Sequence, residues 1–443
     1  MRLEDKLKGL DTYPFHMPGH KRNKKFGITG SEIDITEIDG FDNLHCPRGV
    51  IADVEKDLKK IYKSKKSLIS VNGSSMGIMS AIFAVCNRGD KIIVARNCHK
   101  SVFNACMLLE LKIIYIEPDY DSTNGYYMRL SQEAADRTVR ENPDAKAMII
   151  TSPTYEGFIS EIECDIPLII DAAHGAHLGQ GYFPKYPKGD IVISSLHKTL
   201  LSLTQTAVIN IYSERLIERV KRFNDIFQTT SPSYVLMNSI SICADYVLKN
   251  RRNFCTFYEN LCDLRLADTN NLRIMYTDDI SKIIVSTAGT DISGNYLADI
   301  LRDKYKIEVE AYYKTYVLLM TSVADEKEKL EYLKKALEEI DEGLICKYEK
   351  LIKKPPCPDK AMQIKIDDEG DETDIEESVG KVSNEFVYAY PPDIPIIVPN
   401  EIISREAIEY IKESVKNGVN IISDSSLIPN KIFTKRAIPI IIN

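Results

Sequence analysis

Two stretches decide the reading of this chain: Pro167-Leu168-Ile169-Ile170-Asp171, and Ile191-Val192-Ile193-Ser194-Ser195-Leu196-His197-Lys198. Each begins with a short apolar run and ends in a group of chemical use. Runs of about four to eight apolar residues bounded by turn signals suit strands buried on both faces. A carboxylate closing one such strand, and an amine just past the next, would lie at the carboxyl ends of parallel strands, where sheets of this kind bind ligands. Asp171 would be costly to bury without a partner. A lysine directly after a buried strand is an unusual packing residue.

Outward from these stretches, apolar runs alternate with helical patterns. Strands are predicted at Leu68–Val71, Lys91–Val94, Lys112–Ile116, Ala147–Thr151, Leu168–Asp171, Asp190–Ser194 and Ala207–Ile211. Helices are predicted at Ile78–Cys86, Ser101–Leu109 and Ser131–Asn142, with Asn87-Arg88-Gly89-Asp90 as a turn. This order predicts an α/β fold with a mainly parallel seven-stranded sheet and helices on both faces. Residues 214–265 read as helical, one helix starting near Tyr234 after Ser231-Pro232-Ser233. Residues 280–345 read as strand, helix, strand, strand, helix, a smaller α/β unit. Lys353-Lys354-Pro355-Pro356-Cys357-Pro358 reads as a linker. The acidic run Asp367, Asp368, Glu369, Asp371, Glu372, Asp374, Glu376 and Glu377 reads as a solvated loop, with a guide for cationic substrates as the rival reading. Residues 1 to about 45 read as an extended arm with turns rather than a packed element. The boundaries drawn are an arm at 1–48, a large ligand-binding domain at 49–265, a small α/β domain at 266–352 and a C-terminal domain at 359–443.

Composition narrows the class. At 443 residues the chain suits two or three domains. Its net charge of −8 argues against nucleic acid or an anionic membrane as the main partner. No stretch approaches the roughly 18 apolar residues of a membrane span, and Met1-Arg2-Leu3-Glu4-Asp5-Lys6 does not read as a signal peptide. Ten cysteines without C-x-x-C spacing read as reduced thiols in a cytoplasmic protein, with no metal site.

Three further segments carry chemistry. Val71-Asn72-Gly73-Ser74-Ser75-Met76-Gly77 lies between a strand and a helix, where small residues, hydroxyls and free helix N–H groups suit an anion. Alone this is weak, since Gly-Ser turns are common before helices. Arg96-Asn97-Cys98-His99-Lys100-Ser101 follows a strand, and His99 there could stack on a flat ligand or move protons. In Asp171-Ala172-Ala173-His174-Gly175-Ala176-His177 the leading carboxylate suits a protonated ring nitrogen. Taken together with Lys198, these segments are what a pyridoxal phosphate (PLP) enzyme needs: a phosphate cup, a carboxylate for the pyridine nitrogen, and an amine for the aldehyde, desolvated so that it is nucleophilic. Ser195 and His197 stand where they can donate to the phosphate.

These segments resemble the bacterial ornithine/lysine/arginine decarboxylase family, of PLP fold type I. So do Phe15-His16-Met17-Pro18-Gly19-His20-Lys21, Ser152-Pro153-Thr154-Tyr155-Glu156-Gly157, Thr230-Ser231-Pro232-Ser233-Tyr234 and Tyr390-Pro391-Pro392-Asp393-Ile394-Pro395 through Pro399-Asn400-Glu401. The resemblance spans about residues 10–420 and is to compact members without an N-terminal wing domain. It implies that Lys198 is the Schiff-base lysine, that Asp171 partners the ring nitrogen, and that His99 stacks on the ring. It implies that Ser74, Ser75, Ala173, Ser195 and His197 bind the cofactor, with Ser231 contributing from a second subunit of a homodimer or larger assembly. Glu401 would neutralise a distal cation of the substrate; an exposed glutamate at a helix N-terminus is the rival reading. The implied activity is decarboxylation of a basic amino acid, arginine first, then lysine or ornithine. Another fold type I enzyme (an aminotransferase or carbon–sulfur lyase), or a silent PLP-fold binding protein, would share Asp171 and Lys198. The chain departs from the family pattern at Ala172, Leu196 and Asn400. Only Ser152–Pro167 separates two strands that relatives join through a full helix, so a truncated helix or irregular loop is expected there.

Overall fold

All seven sequence segments form strands in the computed structural model, which describes residues 2–347, 351–357, 362–367, 369–390 and 393–436. They are β1 (Lys66–Ser70), β2 (Lys91–Ala95), β3 (Lys112–Ile116), β4 (Ala145–Thr151), β5 (Leu168–Asp171), β6 (Ile191–Ser195) and β7 (Ala207–Ile211). The chain divides into two units. One comprises Met1–Val85, Leu168–Glu259 and Thr321–Asp325; the other Cys86–Pro167, Asn260–Met320 and Glu326–Asn443.

In the first unit the strand order is β1-β7-β6-β5. β5 and β6 are parallel, Asp171 level with Ile193. β7 runs against both neighbours, with Ala207 level with Ser195 on one side and Ser70 on the other. Every strand but β7 therefore points the same way, and the carboxyl ends of β1, β5 and β6 share one edge. The strands are buried almost throughout because both faces are covered. Helix α3 (Gly73–Val85) packs on one face so closely that a Cβ at Gly77 would stand 2.9 Å from Ile193 and 3.1 Å from Ile209. On the other face Ile69, Val71, Leu196 and Val208 share a core with helices α2 (Val50–Tyr62) and α4 (Tyr234–Lys249). Ser233 caps α4, its hydroxyl accepting from Leu236 N.

The N-terminal segment is not wholly an extended arm. Helix α1 (Leu3–Lys8) turns Leu3 and Leu7, one helical turn apart, into the same core as Met237 and Ile240 of α4. Beyond it, residues 9–23 form an irregular stretch broken by bends and turns, and Phe15 is 92% exposed.

In the second unit β4, β2 and β3 are parallel, and Met362–Gln363 adds antiparallel to β3. Arg273–Ile274, Lys282–Ser286, Tyr316–Met320 and Ala311–Tyr312 form an antiparallel sheet with helices Gly294–Tyr305 and Lys327–Asp341. Further along, Val387–Ala389 pairs with Ile394–Ile397 and Ile421–Ser423, and helix Arg405–Lys416 buries Ile408 and Ile411 against them. The fold is thus α/β with a mainly parallel large sheet and antiparallel C-terminal pieces.

The acidic run corrects expectation. Gly370–Asp374 is a strand paired with Lys431–Lys435, not a solvated loop. Four charges of the run are matched: Glu372 by Lys431, Asp367 by Lys435, and Glu369 and Asp371 by Arg436. Asp368 and Pro358 lie outside the described residues. Among the described residues no helix is long and apolar enough to cross a membrane.

Candidate active site

The site residues of the first unit gather at the shared edge of β1, β5 and β6. Asp171 ends β5 only 3% exposed, its Oδ1 accepting from Ala173 N at 3.1 Å. A tight turn follows, with Gly175 N donating to Ala172 O at 2.8 Å. Ala173 is buried in it. The turn brings His174, 7% exposed, to Lys198, with Nε2 and Nζ 3.0 Å apart. Lys198 rides on the single helical turn Leu196–Thr199 after β6. It is exposed, not buried as expected, because that turn carries it past the sheet's edge.

The anion cup forms from two neighbouring segments. α3 begins at Gly73, five residues before the predicted start, so Gly73, Ser74 and Ser75 make its first turn rather than a preceding loop. Gly73 holds φ +77°, and a Cβ there would meet nothing within 4 Å, leaving an open cradle above the helix's unsatisfied N–H groups. Ser195 Oγ donates to Ser74 Oγ at 2.9 Å, so two hydroxyls converge. Ser75 is exposed. His197 Nδ1–H donates to Thr206 O at 2.9 Å, which leaves Nε2 to face a ligand. Burial lowers the His197 pKa and the Lys198 charge lowers it further, against the Thr206 hydrogen bond, so Nε2 donates only where an anion restores its proton. Asn72 Oδ1 accepts from Gln228 and, at 3.5 Å, from Thr229 N. Ser231, exposed, follows two residues later. Open cradle, paired hydroxyls, buried carboxylate and nearby amine fit the phosphate, ring nitrogen and aldehyde of PLP.

The remaining candidates belong to the second unit. His99 caps helix Lys100–Leu108, its Nδ1 accepting from Ser101 N at 3.1 Å. That puts the neutral ring's proton on Nε2, 3.7 Å from Asp393 Oδ2. Glu401 is 7% exposed and does not start a helix; helix Arg405–Lys416 is capped by Ser404 instead. Its Oε2 accepts from Val398 N at 2.9 Å. Burial raises its pKa, opposed by the charge of Arg96, a fully buried guanidinium that donates to Pro395 O and Ile396 O. Asn400, where the family pattern has glycine, holds φ +74°, a conformation asparagine tolerates better than most residues. Residues 152–167 contain no helix, the irregular loop expected. Within it Glu156 is buried, Tyr316 OH donates to its Oε1 at 3.2 Å, and burial pushes its pKa up to about 7. Pro391 and Pro392 lie outside the described residues.

The sequence alone assigns His174 no role. Its signal was position: three residues past a strand-end aspartate, a tight turn returns a side chain to the edge it left. Among the described residues no cluster of three or more His, Cys, Asp or Glu side chains could hold a metal.

Known proteins share this architecture. The structure of the constitutive lysine decarboxylase of E. coli superposes with TM-score 0.75 over 98% of this chain and 81% of that one, at 17% identity. Lysine decarboxylase A of Pseudomonas aeruginosa gives 0.74 over 94% and 75%, at 16% identity. An alanine–glyoxylate aminotransferase from Nostoc sp. gives 0.54 over 75% and 98%, at 14% identity. The fold is that of the PLP fold type I enzymes. In sequence, residues 9–273 match the family Orn/Lys/Arg decarboxylase, major domain, and residues 345–419 match its C-terminal domain. The arginine decarboxylase of Halalkalibacterium halodurans is 30% identical over 91% of each chain. That of Bacillus subtilis is equally similar, at 30% over 91% of each. The chain belongs to the Orn/Lys/Arg decarboxylase family, whose members depend on PLP, and is a basic amino acid decarboxylase.

Proposed function

We propose that the chain decarboxylates arginine to agmatine and CO2 with PLP as cofactor. One observation carries the reading: buried Asp171 and the Lys198 amine are gathered at one sheet edge, His174 bridging the turn after one to the side chain of the other at 3.0 Å. The names and coverage of the two bacilli relatives support arginine over lysine. Bound PLP supplies an aldehyde linker and an electron sink for the carbon that loses CO2. Lys198 would hold that aldehyde. Asp171, shielded from water, would keep a proton on the ring nitrogen, and Ser74, Ser75, Ser195 and His197 would anchor the phosphate. His99 would stack on the ring, and Glu401 is the candidate partner for the distal guanidinium.

A homodimer is the proposed working form, with Ser231 reaching the partner's site. Support comes from its exposure and from the apolar side chains the N-terminal segment leaves in water, Tyr13, Phe15, Met17 and Phe26. The domain boundaries drawn from sequence and a cytoplasmic location belong to the same proposal. The test is CO2 release from arginine, lysine and ornithine side by side, with PLP supplied and no keto acid. Arginine should turn over fastest, and Lys198→Ala should lose at least roughly 10³-fold in rate. Equal, uncatalysed rates for all three would overturn the reading.

A further inference from the structure

We propose that His174 is the proton acceptor for the Lys198 ammonium. The inference rests on the PLP reading above but concerns the chain's own atoms. Nε2 and Nζ stand 3.0 Å apart, a separation at which two nitrogens share one proton, since two cations there would repel. The imidazole cannot swing away easily. It is 7% exposed, and the turn that carries it is closed by Gly175 N on Ala172 O at 2.8 Å. Lys198, by contrast, is exposed on its helical turn. A buried acceptor thus faces an exposed donor.

The requirement is chemical. An ammonium has no lone pair, so Lys198 must shed a proton before Nζ can form a bond to carbon. Nε2 takes the proton: the N–H bond at Nζ breaks, its electron pair stays on nitrogen as the nucleophilic lone pair, and an imidazolium forms. The reverse transfer restores the ammonium when the amine is released. His174 thereby gives the departing proton a fixed destination 3.0 Å from Nζ.

The test follows formation of the covalent link, not turnover. The full chain is stripped of cofactor and PLP is added back. Link formation is followed by the visible absorption change and by the fraction of Lys198 trapped with borohydride. Affinity for pyridoxamine phosphate, which fills the site but cannot link, is measured in parallel. His174→Phe and His174→Gln should slow linking at least about tenfold, while pyridoxamine phosphate affinity stays within about twofold. Gln accepts the ammonium's hydrogen bond but cannot keep a proton, so it separates proton transfer from mere positioning. Linking at the wild-type rate in either variant overturns the proposal. So does an equal loss of pyridoxamine phosphate affinity, which would mark a collapsed cup. Failure of the wild-type chain to bind either compound would instead sink the PLP reading itself.

Discussion

Glu156 shows how one buried side chain links the loop between β4 and β5 to the chain's response to pH. Its carboxyl lies among apolar and tyrosine neighbours, with Tyr316 OH donating to it. Burial outweighs that hydrogen bond and lifts the pKa from 4.5 to about 7. A carboxyl raised on folding favours the neutral form, so its stabilising contribution is whole below about pH 4.5 and is lost as pH climbs to about 7. The loss amounts to about 3 kcal/mol. Glu156→Gln carries no such charge. Its urea midpoint should exceed the wild type's at pH 8 more than at pH 5, and an identical difference at both would refute the assignment. Glu401 is likewise raised by burial, but the nearby Arg96 charge offsets part of the effect.

At the level of elements, the first turn of α3 is the part of the cup set by packing. Gly77 lets the helix lie against Ile193 and Ile209, stiff β-branched side chains on rigid strands. Gly77→Val should cost about 1–3 kcal/mol and lift Ser74 away from Ser195. Thermal unfolding and PLP affinity should fall together; unchanged affinity in a destabilised variant would show the cup to be independent of that contact. The seven strands were legible because burial on both faces leaves continuous apolar runs such as Ile191-Val192-Ile193. The start of α3 was not, because glycine and serine are weak helix formers and only the sheet's edge selects their helical state. The strand Gly370–Asp374 escaped for a related reason. It has no apolar period, and its partners Lys431 and Arg436 are some 60 positions away. Asp171 was readable as a strand end and Lys198 as lying just past one, while the meeting of Lys198 with His174 needed the turn at Gly175.

On the scale of the whole molecule, the exposed Tyr13, Phe15, Met17 and Phe26 are a reason to expect self-association. Sedimentation should give at least twice the 50.2 kDa chain mass. Replacing Phe15 and Phe26 with serine should shift the equilibrium toward single chains and weaken activity in parallel; a fully active monomer would rule out a shared site.

The reversed strand β7 also has a consequence for how this protein is made. Lys66 finds its ladder partner in Ile211, 145 positions later in the chain. A ribosome releasing the polypeptide from its N-terminus therefore emits β1, and the glycine-serine cradle after it, long before the strand that secures them exists. Early in synthesis this edge is an open, aggregation-prone template. Translation paused before Ala207 should yield a nascent product that binds no cofactor and depends on chaperones, whereas one paused well beyond Ile211 should resist proteolysis across the same region.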